Sequence, residues 1–166
     1  MSILVKVQNK AMNKPLHRRT IPSKCVTLCK KLDKAENYKE RQEICKQILT
    51  LLNEHFKLPS CKVKIFNKKY PVYNRRIGIR SGILLGQYKS EGLYQPIIEL
   101  WNFSRSNKIV HPSALLRTLL HEFVHHYDNK HLHVELVHSR GFWLRYKQLR
   151  DTFVARMAGS NKKGQK

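Results

Sequence analysis

Acid is what this chain has least of. Eleven Asp and Glu stand against 33 Lys and Arg in 166 residues, which leaves a formal charge of +22 at pH 7. That is far more than solubility needs, and a field of this sign attracts polyanions. The deficit is uneven. No acid precedes Asp33, and none lies between Glu54 and Glu91, where Lys57, Lys62, Lys64, Lys68, Lys69, Arg75, Arg76, Arg80 and Lys89 accumulate.

Paired cysteines are also missing. Cys25, Cys29, Cys45 and Cys61 contain no CxxC, which excludes a zinc ribbon built from them. Cys25 and Cys29, four apart, share one helix face and read as buried thiols in a reducing compartment. No apolar run reaches membrane-spanning length, and the amino terminus lacks the apolar region and small-residue cleavage site of a secretory signal. A soluble, intracellular protein with no membrane partner is expected, in the cytoplasm, nucleoid or nucleus.

Aromatic residues Phe66, Tyr70, Tyr73 and Tyr88 are interleaved with the acid-free basic stretch. Surfaces that stack bases and contact phosphates have this composition, so nucleic acid, with DNA favoured, is the expected polyanion. The plainer reading is a basic, solvated sheet whose aromatics are core.

The length suits one domain. Residues 1–20 are polar, basic and broken by Pro15, and read as a flexible arm; the domain spans 21–158, and 159–166 form a basic tail. Helical spacing runs from about Pro22 to Phe56, as one helix or two with an interruption near Asn37. Strand spacing follows over 61–66, about Ile77–Tyr88 and about Gln95–Trp101. His111-Pro112-Ser113 opens a helix whose Leu115, Leu116, Leu119, Leu120, Phe123 and Val124 form a buried stripe. A last helix, about Ser139–Met157, carries Phe142, Trp143, Tyr146, Leu149 and Phe153 on one side, with Gly159 as its stop. The expected fold is α+β: a small, mainly antiparallel three-stranded sheet packed on an amino-terminal helix, the helix opened by His111-Pro112-Ser113 and a carboxy-terminal helix.

The most informative segment is His121-Glu122-Phe123-Val124-His125, an instance of HExxH. Shuffling this composition would produce the motif in about two chains of a hundred, so coincidence is disfavoured. On a helix it sets two imidazoles one turn apart, where they can hold zinc. Glu122 beside them can take a proton from water and pass it to a leaving amine. A catalytic zinc wants a third protein ligand, and His126, His131, His133, Glu135 and His138 all follow. His131 has the metzincin spacing HExxHxxGxxH, with Asp128 where that pattern has its turn-forming glycine. His138 instead opens the last helix, with Phe142 four residues on to anchor the turn. His126 and His133 read as surface or supporting residues.

Strand Ile97-Ile98-Glu99-Leu100, helix Leu115 to His125, and His138 followed by Phe142 resemble the SprT-like zinc metallopeptidases, a family that includes the Spartan-type proteases. The resemblance covers the last third to half of the chain. It implies zinc on His121, His125 and His138, Glu122 as general acid/base, and Ile97–Leu100 as a strand beside the cleft that could pair with an extended peptide. It also implies a zinc-dependent endopeptidase whose protein substrates are associated with or crosslinked to DNA. The alternative from the same residues is a nucleic-acid-binding module whose zinc site is structural or catalytically lapsed.

Overall fold

A computed structural model describes residues 13–18, 20–69, 85–91, 94–104, 106–134 and 137–162 of the chain. Tyr70, Tyr73, Arg75, Arg76, Arg80, Glu135 and most of the strand expected over Ile77–Tyr88 lie outside the described residues.

Two helices, not one, open the domain. Helix α1 (Ser23–Lys34) buries Cys25, Val26, Leu28, Cys29 and Leu32, the one-turn spacing of a single face. Helix α2 (Tyr38–Phe56) starts at Asn37, whose side-chain oxygen accepts from the Lys39 and Glu40 amides at 3.0 Å each, while Glu40 reaches back to the Glu36 amide at 2.9 Å. These contacts satisfy amides that a helix start leaves open, so the break is set by Asn37. The helix closes with Lys57 left-handed, at φ 54°, and the Leu58 amide donating to Asn53 at 2.8 Å, so that Leu58-Pro59 leads away from it. All four cysteines are free, and burial pushes their thiols up to about 12, which makes them inert.

Strands β1 (Lys62–Lys69), β2 (Gly86–Lys89) and β3 (Ile97–Phe103) form one sheet in the order β1-β3-β2. The fold is α+β as expected, but the sheet is mixed. β1 runs parallel to β3 from Lys62↔Ile97, and β2 runs antiparallel from Gly86↔Leu100. The connection from Lys69 to Ile97 is long enough for the crossover that a parallel pair needs. This order also corrects the role given to Ile97–Leu100. That segment lies in the central strand with a neighbour on each side, so it has no edge to offer a peptide.

Helix α3 (Pro112–Tyr127) begins with proline, which needs no amide partner there, and is capped by His111. Leu115, Leu116, Leu119, Leu120, Phe123 and Val124 are all buried and meet Ile98 and Leu100 of β3 in the core. The chain then continues through a π-helical turn, Asp128–Leu132, and reverses at His133, with φ 52°. Helix α4 (Arg140–Lys162) follows, with the Phe142 amide donating to the Ser139 hydroxyl at 3.1 Å. It runs through Gly159, the expected stop; a glycine costs a helix only about 1 kcal/mol and ends it only where a left-handed turn is imposed. No helix among the described residues is long and apolar enough to cross a membrane.

The inner part of the amino-terminal segment expected to be free is tied to the domain. Leu16 is 5% exposed and part of the core, its amide donates to Gln148, and the Lys14 carbonyl accepts from Arg145 at 2.6 Å. His17 reaches the Tyr127 hydroxyl through its amide at 3.2 Å and its ring at 2.9 Å. Arg145 is therefore a hub, because its other terminal nitrogen donates to Asp128 at 2.6 Å in a fully buried ion pair. Removing one partner strands a charge without water. Asp128→Ala is expected to lower unfolding stability by about 3–5 kcal/mol in urea titration, and restoring the hydrophobic balance with Arg145→Met in the same chain should recover part of it.

Candidate metal centre

Helical spacing places His121 and His125 one turn apart on α3, and the start of α4 brings His138 across to them. His121 Nε2 lies 2.8 Å from His138 Nε2, and His125 Nε2 lies 3.1 Å from it. The potential ligand atoms of the three all fall within 4.8 Å of one another, close enough to hold a metal ion. Two imidazoles at such a distance can share a proton, but His138 Nε2 faces two others at once. A ring nitrogen that carries hydrogen has no in-plane lone pair left to accept with, so three neutral rings cannot satisfy both contacts as ordinary hydrogen bonds. A single cation suits them better. Tetrahedral ligation at about 2.0–2.1 Å separates nitrogens by about 3.3–3.4 Å, only slightly more than the two separations from His138 Nε2.

Phe142 forms the floor. Its fully buried ring lies 4.8, 4.4 and 4.8 Å, centroid to centroid, from those of His121, His125 and His138. The anchoring role read for Phe142 from its four-residue offset is thus realised against all three imidazoles. Burial drives His121 down to about 4 and His125 to about 3, and also lowers His138. All three are therefore neutral at pH 7, the form in which imidazole ligates a metal. One detail is unsupported: the second ring nitrogen of His125 is buried with no hydrogen-bond partner among the described residues.

His131 is elsewhere. Its ring stacks on His17 at 4.5 Å and leans on Tyr127 at 4.8 Å. The metzincin arrangement needs the chain to turn at position 128, and Asp128 is right-handed helical at φ −61°, held by Arg145. Helical winding thus continues and carries His131 away from His125. His126 also points away and is buried, not a surface residue. Its Nε2 lies 3.0 Å from the Pro59 carbonyl, which can only accept, so Nε2 carries the proton, and Nδ1 lies 3.2 Å from the Tyr88 hydroxyl. Tyr127 is fully buried, with its hydroxyl engaged by His17.

Glu122 is 5% exposed on the face of α3 that meets β2. Burial pushes its carboxyl up to about 7, against the opposing pull of the Tyr88 backbone amide. That amide belongs to β2, and the strand comes close only because position 86 is glycine. A Cβ there would stand 2.5 Å from Thr118 Cγ2 and 3.1 Å from Glu122 Cγ. Sequence reading missed both Gly86 and Tyr88 as parts of the site. Glycine inside a strand is the available signal, since it marks close approach by a neighbour.

Two aromatics are not where the pattern put them. Tyr88 is core, packed on His126, so it cannot stack a base. Trp143 is 49% exposed beside the three imidazoles, whereas Phe142, Leu149 and Phe153 are buried. On the sheet's outer face, Phe66 stacks on Trp101 at 5.6 Å, and the ammonium groups of Lys64 and Lys68 lie 4.8 and 5.4 Å from its ring centre.

Acid should loosen the metal-free protein. Burial lowers His17, His55, His121, His125, His126, His131 and His138 below the ordinary 6.5, so below that pH the unfolded chain binds protons that the folded chain refuses. Stability must then fall as pH drops from about 6.5. The raised Glu122 and Asp128 carboxyls act in the opposite sense, since the folded state holds their protons more tightly, but seven lowered imidazoles outweigh two carboxyls. Urea midpoints measured from pH 7.5 to pH 5 are expected to decline; a flat or rising profile contradicts this balance.

No family model, no curated protein and no solved structure matches this chain.

Proposed function

We propose that this protein is a zinc-dependent endopeptidase acting on proteins bound or crosslinked to DNA. The observation that carries the proposal is the meeting of His121, His125 and His138 over Phe142, with Glu122 on the same helix, next in sequence to the first of them. Zinc, when bound, supplies Lewis acidity toward a carbonyl and lowers the pKa of water toward about 7. The three imidazoles would hold the ion. The Glu122 carboxylate accepts the proton released by the attacking water at one of its oxygens and delivers it to the departing amine. A cation held by the neighbouring imidazoles would favour the ionised form of this carboxyl, the form that can act as a base.

The Tyr88 amide fixes the carboxylate from the side of β2. That strand is the sheet edge next to Glu122, and among the described residues nothing pairs with its other side. An extended peptide laid along β2 would gain main-chain hydrogen bonds and bring a scissile bond past α3. Recruitment falls to charge. The net +22, and the exposed Lys62, Lys64 and Lys68 around half-buried Phe66, suit a phosphate backbone.

The test is cleavage of a basic protein substrate with and without DNA. Fragments should form with zinc and DNA, vanish with a chelator, return when zinc is restored, and diminish as salt rises. Fluorescence anisotropy with labelled DNA should give a steep negative slope of log affinity against log salt. Intact substrate in every condition together with a steep slope would leave a DNA-binding module with an inert metal site, and a flat slope would remove nucleic acid altogether.

A further inference from the structure

Tryptophan is the largest apolar side chain available, and proteins seldom leave half of one in water without a use for it. Trp143 is 49% exposed, and its ring centre lies 5.4 Å from that of His138, nearly parallel to it at 24°, and 5.7 Å from that of His121. The ring is held edgewise by Phe142 at 5.3 Å and Tyr146 at 6.0 Å, so its plane is fixed and one side is left open. Val137 and Leu144, which flank His138 and Trp143 in sequence, are exposed as well, at 41% and 42%. Tyr94, Ile109 and Val154 are the other large apolar side chains exposed among the described residues, and none of them adjoins one of the three imidazoles in sequence.

We infer that the open face of Trp143 is a shelf for the side chain that adjoins the scissile bond, and that it makes the enzyme prefer aromatic or large aliphatic residues there. The inference rests on the peptidase reading. With its ring centre 5.4 and 5.7 Å from those of His138 and His121, Trp143 borders the place where a carbonyl drawn to these three imidazoles would bring its neighbouring side chains. The indole can cover an aromatic ring by offset stacking or remove an aliphatic chain from water, and both depend on area. A small or acidic residue at the same position gains nothing from it. The charge of the site selects where the enzyme works, and this surface selects which bond it cuts.

The experiment compares quenched peptides that differ only at the residues flanking one cleavable bond. Wild type should cleave those bearing Phe or Leu about 10- to 100-fold more efficiently in kcat/KM than those bearing Ala or Asp, the range one apolar contact can discriminate. Trp143→Ala should collapse that ratio to within about threefold, with the loss in kcat/KM falling mainly on the Phe and Leu peptides. Trp143→Phe should keep most of the preference, since a ring remains. Equal loss on every peptide would mean that Trp143 merely supports His138 and would overturn the inference, as would an unchanged ratio.

A second arm needs no turnover and so separates this idea from the peptidase reading. Peptide hydroxamates with Phe or Ala beside the metal-binding group are titrated into zinc-loaded protein. The Phe compound should bind at least about tenfold more tightly in wild type and no more tightly in Trp143→Ala. Preferential hydroxamate binding without peptide cleavage would keep the shelf and sink the peptidase. Equal affinities, or Trp143 fluorescence quenched by oligothymidylate and not by the Phe compound, would show that the surface serves no peptide side chain.

Discussion

Replacing His138 by alanine is expected to weaken zinc binding by about two to three orders of magnitude, while His131→Ala leaves it nearly unchanged. The apparent free energy of a protein zinc site, about 10–16 kcal/mol when four ligands share it, assigns about 2.5–4 kcal/mol to each. His138 Nε2 lies 2.8 and 3.1 Å from the corresponding atoms of His121 and His125, so its loss opens the site. Among the described residues His131 makes ring contacts with His17 and Tyr127, and its removal should cost about 1 kcal/mol of stability. Competition with a chromophoric chelator reads both variants directly. The reverse ranking would move the third ligand to the π-helical turn and dissolve the geometry described here.

Glu122→Gln should reduce kcat by about 10²–10⁴ with zinc retained, the usual worth of a positioned proton carrier. Glutamine has the same size and can still accept from the Tyr88 amide, so β2 and α3 keep their spacing at Gly86. What disappears is a group able to take a proton. A loss of zinc in this variant would mean that Glu122 supports the ligands, and an unchanged rate would assign proton transfer to another residue. Because the change leaves charge and shape elsewhere intact, DNA affinity and its salt slope should match those of wild type.

Much of this arrangement was legible in the sequence because it depends on local spacing. HExxH fixes two imidazoles on one helix face, the leucine stripe fixes which face is buried, and Pro112 fixes where α3 begins. The choice of His138 over His131 was open from spacing alone. It depends on whether the chain turns at position 128, and the buried Arg145 that holds Asp128 in helical conformation comes from a different helix. Strand pairing was less readable for a similar reason. The mixed sheet follows from how a long connection returns from Lys69 to Ile97, which no alternation within β1 or β3 encodes. Tyr88 shows the ambiguity of composition, since an aromatic within a basic run suits a nucleic-acid surface or a core equally, and its hydroxyl contact with His126 decides for the core. Trp143 departs from its helix neighbours by one residue, about 100° of rotation, enough to move it from the packed side of α4 to the rim of the three imidazoles.

X-ray absorption at the zinc edge of the metal-loaded protein tests the central assignment most directly. Three imidazole nitrogens and one further light atom at about 2.0–2.1 Å, with the outer-shell pattern of histidine rings, are the predicted environment. A sulfur shell at about 2.3 Å, fewer than three imidazoles, or protein that retains no zinc after desalting would contradict it.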